Sequence, residues 1–275
     1  MTAATPTIAP APARRPVKRV GMREALDSEW AKIITVRSTY WTALATLIIG
    51  VGLSILLSFV LSDNLGSMTA ENRAKIDISY TMIALDFAML AVGVLGVLVI
   101  SSEYASGMIR TSLTALPRRG VLLSAKAAVL AVVAAVCGLI VAWGSYLGSE
   151  PLWSAKGIRF DLNANGNLRA VFGAALGLML VSLFGFAVGA LVRHTAGSVA
   201  IVVGMYFVVP IITSFLPDTW GKDVNKLMPS NAAHSMVLTY HDPGSLTPLN
   251  GLLVLLLWIV VPLGVAFVLF KRRDA

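Results

Sequence analysis

The chain has 275 residues, of which 57% are hydrophobic and only 13% charged, with a mean hydropathy of +0.80. Soluble domains carry about a quarter charged residues, so this composition excludes an ordinary soluble fold. The net charge of +8 comes from Lys and Arg flanking apolar runs, which reads as an orientation signal and an attraction to anionic lipid, with no nucleic-acid partner expected.

Residues 1–23 are rich in Ala, Pro and Thr and become basic toward their end. No apolar run follows the early arginines, so this stretch is expected to be a disordered cytoplasmic tail and not a cleaved signal peptide. From Glu24 to Ser38 the pattern changes: Leu26, Trp30, Ile33 and Ile34 fall on one helical face, with Glu24, Asp27, Ser28 and Lys32 on much of the other and Arg37 near its end. A Trp-bearing amphipathic helix ahead of an apolar run is expected to lie in the headgroup plane. An elbow that transmits motion from a cytoplasmic partner and a passive anchor would share this pattern.

Six apolar runs then follow, at about 41–62, 80–101, 122–148, 169–192, 197–216 and 249–270, each near the ~20 residues a helix needs to cross a hydrocarbon core. Backbone groups in lipid must be satisfied internally, and no run alternates like a barrel strand. The expected fold is an all-α integral membrane protein of six transmembrane helices (spans 1–6), preceded by the interfacial helix, in one domain over 24–275. Of the 22 Lys and Arg, fifteen fall on the side shared by the two ends, the loop after span 2 and the link after span 4. The positive-inside rule makes that side cytoplasmic in the cell membrane.

Span 2 carries Asp86, the one acid well inside an apolar run. It lies six residues beyond Tyr80, roughly 9 Å along a helix, where polar packing in the outer leaflet and a place on a transport pathway are both open. The loop after span 2, Ser101 to Lys126, is polar and basic and far longer than a return turn needs. Met108, Ile109, Leu113 and Leu116 make a helical stripe that ends at Pro117, beside Arg110, Arg118 and Arg119. Those arginines suit lipid phosphates or acidic groups on a soluble partner. Cys137, in span 3, is a lone packing thiol with no metal-ligand spacing around it. In span 4, Gly173, Gly177, Gly185 and Gly189 form two G-x-x-x-G pairs, usable within the bundle or between chains. Pro210 and Pro262 mark kinks in spans 5 and 6. In the long 217–248 loop, Asn231 to Tyr240 is mildly amphipathic and is read as a short interfacial or re-entrant helix.

No catalytic or metal constellation appears. His194, His234 and His241 stand on different loops, and the only Gly-Lys pair, Gly221-Lys222, is followed by Asp223 and not by Ser or Thr. The chain is therefore not expected to be an enzyme or to hold a cofactor.

Six spans with cytoplasmic ends, the helix before span 1 and the pattern Glu103, Gly107, Arg110, Pro117, Arg118, Arg119 after span 2 resemble the permease subunits of ABC-2 type transporters. The segments Glu29-Trp30-Ala31-Lys32, Arg37-Ser38-Thr39-Tyr40-Trp41, Ser102-Glu103-Tyr104, Arg193-His194-Thr195-Ala196-Gly197 and Leu227-Met228-Pro229-Ser230-Asn231-Ala232, and the ending Lys271-Arg272-Arg273-Asp274-Ala275, are similar to those of the actinobacterial branch. The resemblance implies an ATP-driven exporter in which two separate ATP-binding subunits, holding ATP and Mg, dock on residues 102–119, beside a second permease chain. A stand-alone secondary transporter or channel is the rival reading; it calls for several polar or broken helices at mid-membrane, where only Asp86 qualifies. The apolar spans suit a lipophilic drug, a lipid or a peptide as substrate.

Overall fold

The computed structural model describes residues 21–115, 118–164, 166–216, 218–239 and 244–272. The tail 1–20, Leu116, Pro117, His241 and the last three residues lie outside them. Among the described residues no strand forms, and six helices are long and apolar enough to cross a membrane: Arg37–Asp63, Leu85–Ala105, Arg119–Ser154, Asn167–Val192, Thr195–Ser214 and Pro248–Leu269. Spans 2 and 4 form the buried centre, while spans 1, 5 and 6 keep broad apolar faces exposed.

Close approach at the centre depends on glycine. A Cβ on Gly185 would lie 2.1 Å from Gly93 O, and one on Gly96 would lie 1.9 Å from Ser182 O. Spans 2 and 4 thus touch backbone to backbone, as small-residue faces permit. The other pair of span 4 also works within the chain: Gly173 lies under Met236 O and Gly177 beside Met89 and Met236.

The span boundaries differ from the apolar runs in ways that have physical causes. Span 3 runs 36 residues, roughly 54 Å at 1.5 Å per residue, because its last turns bury Trp153 edge-on between Tyr80 and Phe160. Span 2 begins at Leu85 and not at Tyr80, since Ile78–Met82 form a short 3₁₀ turn ahead of it. Ser54 of span 1 accepts the Ala84 N–H at 3.2 Å and Ser58 donates to Tyr80 O at 3.0 Å, so buried hydroxyls satisfy groups where the helix cannot. Spans 1 and 5 each contain π-helical turns, at Ile48–Leu53 and Gly204–Val208, a local widening often found at functional positions.

Two faces result from the alternation of the spans. The basic face holds the interfacial helix Met22–Thr35, the short loop helix Met108–Ala115 and the tight turn at Arg193, whose guanidinium stacks on the Tyr104 ring at 5.3 Å. The opposite face holds Asn64 to Ala84, the Lys156 to Gly166 turn, and two helices, Asp218–Lys226 and Pro229–Ser235. The expected helix over Asn231 to Tyr240 is therefore shorter and earlier: it starts at Pro229, pre-set for the first helical position, and ends at Ser235. Arg169 then fixes the following turn by donating to Met236 O at 3.0 Å and Leu238 O at 2.9 Å.

Candidate functional site

The interfacial helix meets the bundle through its charged side. Ala25 and Glu29 are buried and Lys32 half-buried, whereas Trp30 and Ile34 point away from the protein and Arg37, where span 1 begins, is exposed. The apolar stripe read from the sequence is thus divided, with Trp30 and Ile34 turned outward and Leu26 and Ile33 partly covered by the protein. Leu26 packs beside a small cluster of Ala25, Ile109, Leu122 and Ala125, and Ile33 is half-buried.

Glu29 opens a closed ring of four charges. Lys126 of span 3 donates to Glu29 Oε2 and to Glu103 Oε1, the latter at 2.8 Å. Lys32 donates to the same Glu103 Oε1 at 2.9 Å and to Glu29 Oε1 at 2.8 Å. Two carboxylates and two ammonium groups alternate, so the ring carries no net charge. Glu29, Glu103 and Lys126 are each no more than 5% exposed. Lys32 also donates to Ser112 Oγ at 3.1 Å, which brings in the loop helix. Burial by itself lowers the Lys32 pKa, but its hydrogen bonds to Glu29 and Glu103 outweigh that and hold it above the usual lysine value. Glu103 Oε2 is buried with no hydrogen-bond partner among the described residues, and a cavity of about 220 Å³ borders the ring.

Such a ring ties the helix Met22–Thr35 to spans 2 and 3. Ions taken from water are costly to bury, and removing one partner of a buried pair costs about 3–5 kcal/mol because a charge is left uncompensated. The helix Met22–Thr35 is therefore held to the ends of spans 2 and 3 at the basic face, and separating them opens the ring at that cost.

The residues predicted from the sequence are dispersed around this ring. Glu103 is in the ring and buried, not on the surface. Gly107 closes span 2 at φ +71° with open space around it, a left-handed position that suits glycine. Arg110 lies on the loop helix, Pro117 lies outside the described residues, and Arg118, exposed, precedes Arg119 at the start of span 3. Asp86 is far away, in the first turn of span 2 on the opposite face, where a helix N-terminus favours an acid. Sequence reasoning gave the other three members of the ring no site role: Glu29 and Lys32 stood only in a family-like segment, Lys32 also on a polar helix face, and Lys126 only among the loop charges. The available signal was Lys126 itself, a cation inside the third apolar run and matched by an acid at the end of the second.

No curated protein matches this chain. A family pattern does: that of the ABC-2 family transporter proteins fits residues 26–275, nearly the whole chain and every element of the ring. With six membrane-length helices and that match, the chain belongs to the ABC-2 family of transporter proteins, as a multi-pass membrane component of a transport system whose members work with ATP-binding subunits.

Proposed function

We infer that this chain is the permease of an ATP-driven exporter, moved by separate ATP-binding subunits that press on the loop after span 2 and on the interfacial helix. The observation that carries this reading is the ring Glu29–Lys126–Glu103–Lys32, which joins that helix to spans 2 and 3 and, through Ser112, to the loop helix. A passive anchor needs no buried four-charge clamp. Arg110, Arg118 and Arg119 are the partner-binding cations in this proposal, Gly107 sets the turn into the loop helix that carries Arg110, and Glu103 transmits force from within. ATP and Mg belong to the partner, two copies of which serve two permease chains; this chain itself catalyses nothing.

The excess of Lys and Arg on the ring's side supports a cytoplasmic position for it and for both ends, in the cell membrane. The substrate class follows from the cleft between spans 4, 5 and 6, about 710 Å³ and lined by groups such as Phe184, Val188, Met205, Leu257, Trp258 and Val261. An apolar cleft open at the side suits a lipophilic molecule taken from the bilayer.

The test is co-purification with the cognate ATP-binding subunit. Arg110→Ala combined with Arg118→Ala should lose the complex, while Glu103→Gln should keep it and lose coupled ATP turnover. Full assembly and turnover in both variants would remove the docking assignment. For topology, maleimide should label Ala70→Cys from outside intact cells and Ser106→Cys only after permeabilisation; the reverse pattern would invert the orientation.

A further inference from the structure

At the end of the bundle opposite the ring, span 2, span 5 and the helix Pro229–Ser235 enclose a second cavity of about 270 Å³. Its walls are Asp86, Tyr206, Phe207, Ser230, Asn231 and His234, with Pro210 and Ile211 at the span 5 side. Asp86 Oδ1 lies 3.6 Å from His234 Nδ1, an ion-pair contact longer than a good hydrogen bond. Tyr206 and Ser230 are 4% and 9% exposed, and neither hydroxyl has a hydrogen-bond partner among the described residues. Buried hydroxyls without partners are rare in folded proteins. The wall sets a carboxylate with one long ion-pair contact beside the apolar groups of Phe207, Pro210 and Ile211.

We propose that this cavity binds the ammonium head of a primary amine with an apolar body, held by the Asp86 carboxylate. An ammonium offers N–H donors to the carboxylate, and Phe207, Pro210 and Ile211 give the apolar body a surface to lie on. Asn231 competes little, because its amide already donates to Asn225 O at 2.8 Å and Asn225 Oδ1 at 2.6 Å.

His234 makes binding depend on pH. Burial lowers its pKa, but the Asp86 carboxylate, helped by Asp77, outweighs this and raises it above 6.5. The charged and titratable groups on the elements packed about it are Asp86 of span 2, Asp77 ahead of that span, Tyr206 of span 5, Arg169 of span 4, and Lys222, Asp223 and Lys226 of the helix Asp218–Lys226. At low pH a protonated His234 already neutralises Asp86. An incoming ammonium replaces it as the counter-ion, and one proton leaves His234 for water. Affinity therefore rises with pH through the His234 titration. The proposal concerns binding to this chain alone and does not rest on the ATP-driven reading.

The test is equilibrium binding of radiolabelled phenethylammonium to the full chain in nanodiscs, with empty nanodiscs subtracted, at pH 5.5, 7.0 and 8.5. An aliphatic ammonium stays charged throughout, its pKa being about 10. Saturable binding is expected, with neutral 2-phenylethanol competing about tenfold less well or worse. Asp86→Asn, which keeps the side chain's shape, should weaken binding about tenfold or more. His234→Gln should abolish the rise with pH and bind at pH 5.5 as wild type does at 8.5. Absence of saturable binding, a water-filled cavity only, would overturn the proposal. So would equal binding by Asp86→Asn, equal competition by the alcohol, or a pH rise that survives in His234→Gln.

Discussion

Lys126 and Glu29 stand 97 positions apart in the chain and share a buried hydrogen bond, with Glu103 on the other side of the same ammonium. This places a helix that lies outside the spans under the control of two helices that cross. It also makes the ring's charge balance, and not the apolar stripe of the interfacial helix, the feature on which that helix's position depends.

Lys126→Met should destabilise the protein by about 3–5 kcal/mol, because Glu29 and Glu103 would share a dry site with Lys32 alone. Adding Glu103→Gln restores neutrality and should recover part of that loss, with a coupling energy of about 0.5–3 kcal/mol between the two positions. Thermal unfolding of the detergent-solubilised single and double variants measures both. Strict additivity would mean that the two groups do not interact.

Gly185→Leu should abolish the folded state, since even a Cβ would lie 2.1 Å from Gly93 O, whereas Gly204→Ala should be tolerated because nothing lies within 4 Å of its Cβ. The yield of monodisperse protein distinguishes them. Equal yields would show that spans 2 and 4 separate easily.

The six spans were legible because a 20-residue apolar run has few other uses, and the interfacial helix because of its period. What failed to read through was the direction in which that helix faces. Leu26, Trp30, Ile33 and Ile34 mark an apolar side, but lipid competes with protein for such a side. Ala25, Glu29 and Lys32, three of its less apolar positions, are what the bundle covers. Lys126 was counted with the loop charges because sequence cannot tell an interfacial lysine from one that turns inward to meet two acids. Asp86 was placed too deep: the apolar residues Ile78 and Met82 extend the hydrophobic run, yet they form a 3₁₀ turn before span 2 starts. The pairing of Asp86 with His234 joins residues 148 positions apart, which no local spacing records.

The His234–Asp86 contact should make stability fall as pH rises. A histidine whose folded pKa is raised adds stability that is fully present below its unfolded value, about 6.5, and lost as pH climbs through the folded value. The melting temperature should therefore drop between pH 5.5 and 8.5 by more in wild type than in His234→Gln. Parallel curves for the two proteins would show that the pair contributes nothing.

Gly107→Val forces a branched side chain into the left-handed region and should cost about 1–2 kcal/mol, seen as lower stability together with weaker capture of the ATP-binding subunit. Gly107→Asn, which tolerates that backbone, should retain both properties. Equal behaviour of the two variants would mean that the turn does not present the loop helix.

In the proposed coupling the ring carries motion from the ATP-binding subunits to the far ends of the spans. Spin labels at Ile34→Cys and Phe215→Cys, both exposed, with Cys137→Ala to remove the native thiol, report the distance between the interfacial helix and the opposite end of span 5. In the assembled complex, ATP should shift that distance distribution in the otherwise wild-type chain. The charge-neutral pair Glu29→Gln with Lys126→Met should remove the shift while the complex still forms and binds ATP. An identical shift with the ring dismantled, or none with it intact, would contradict the account.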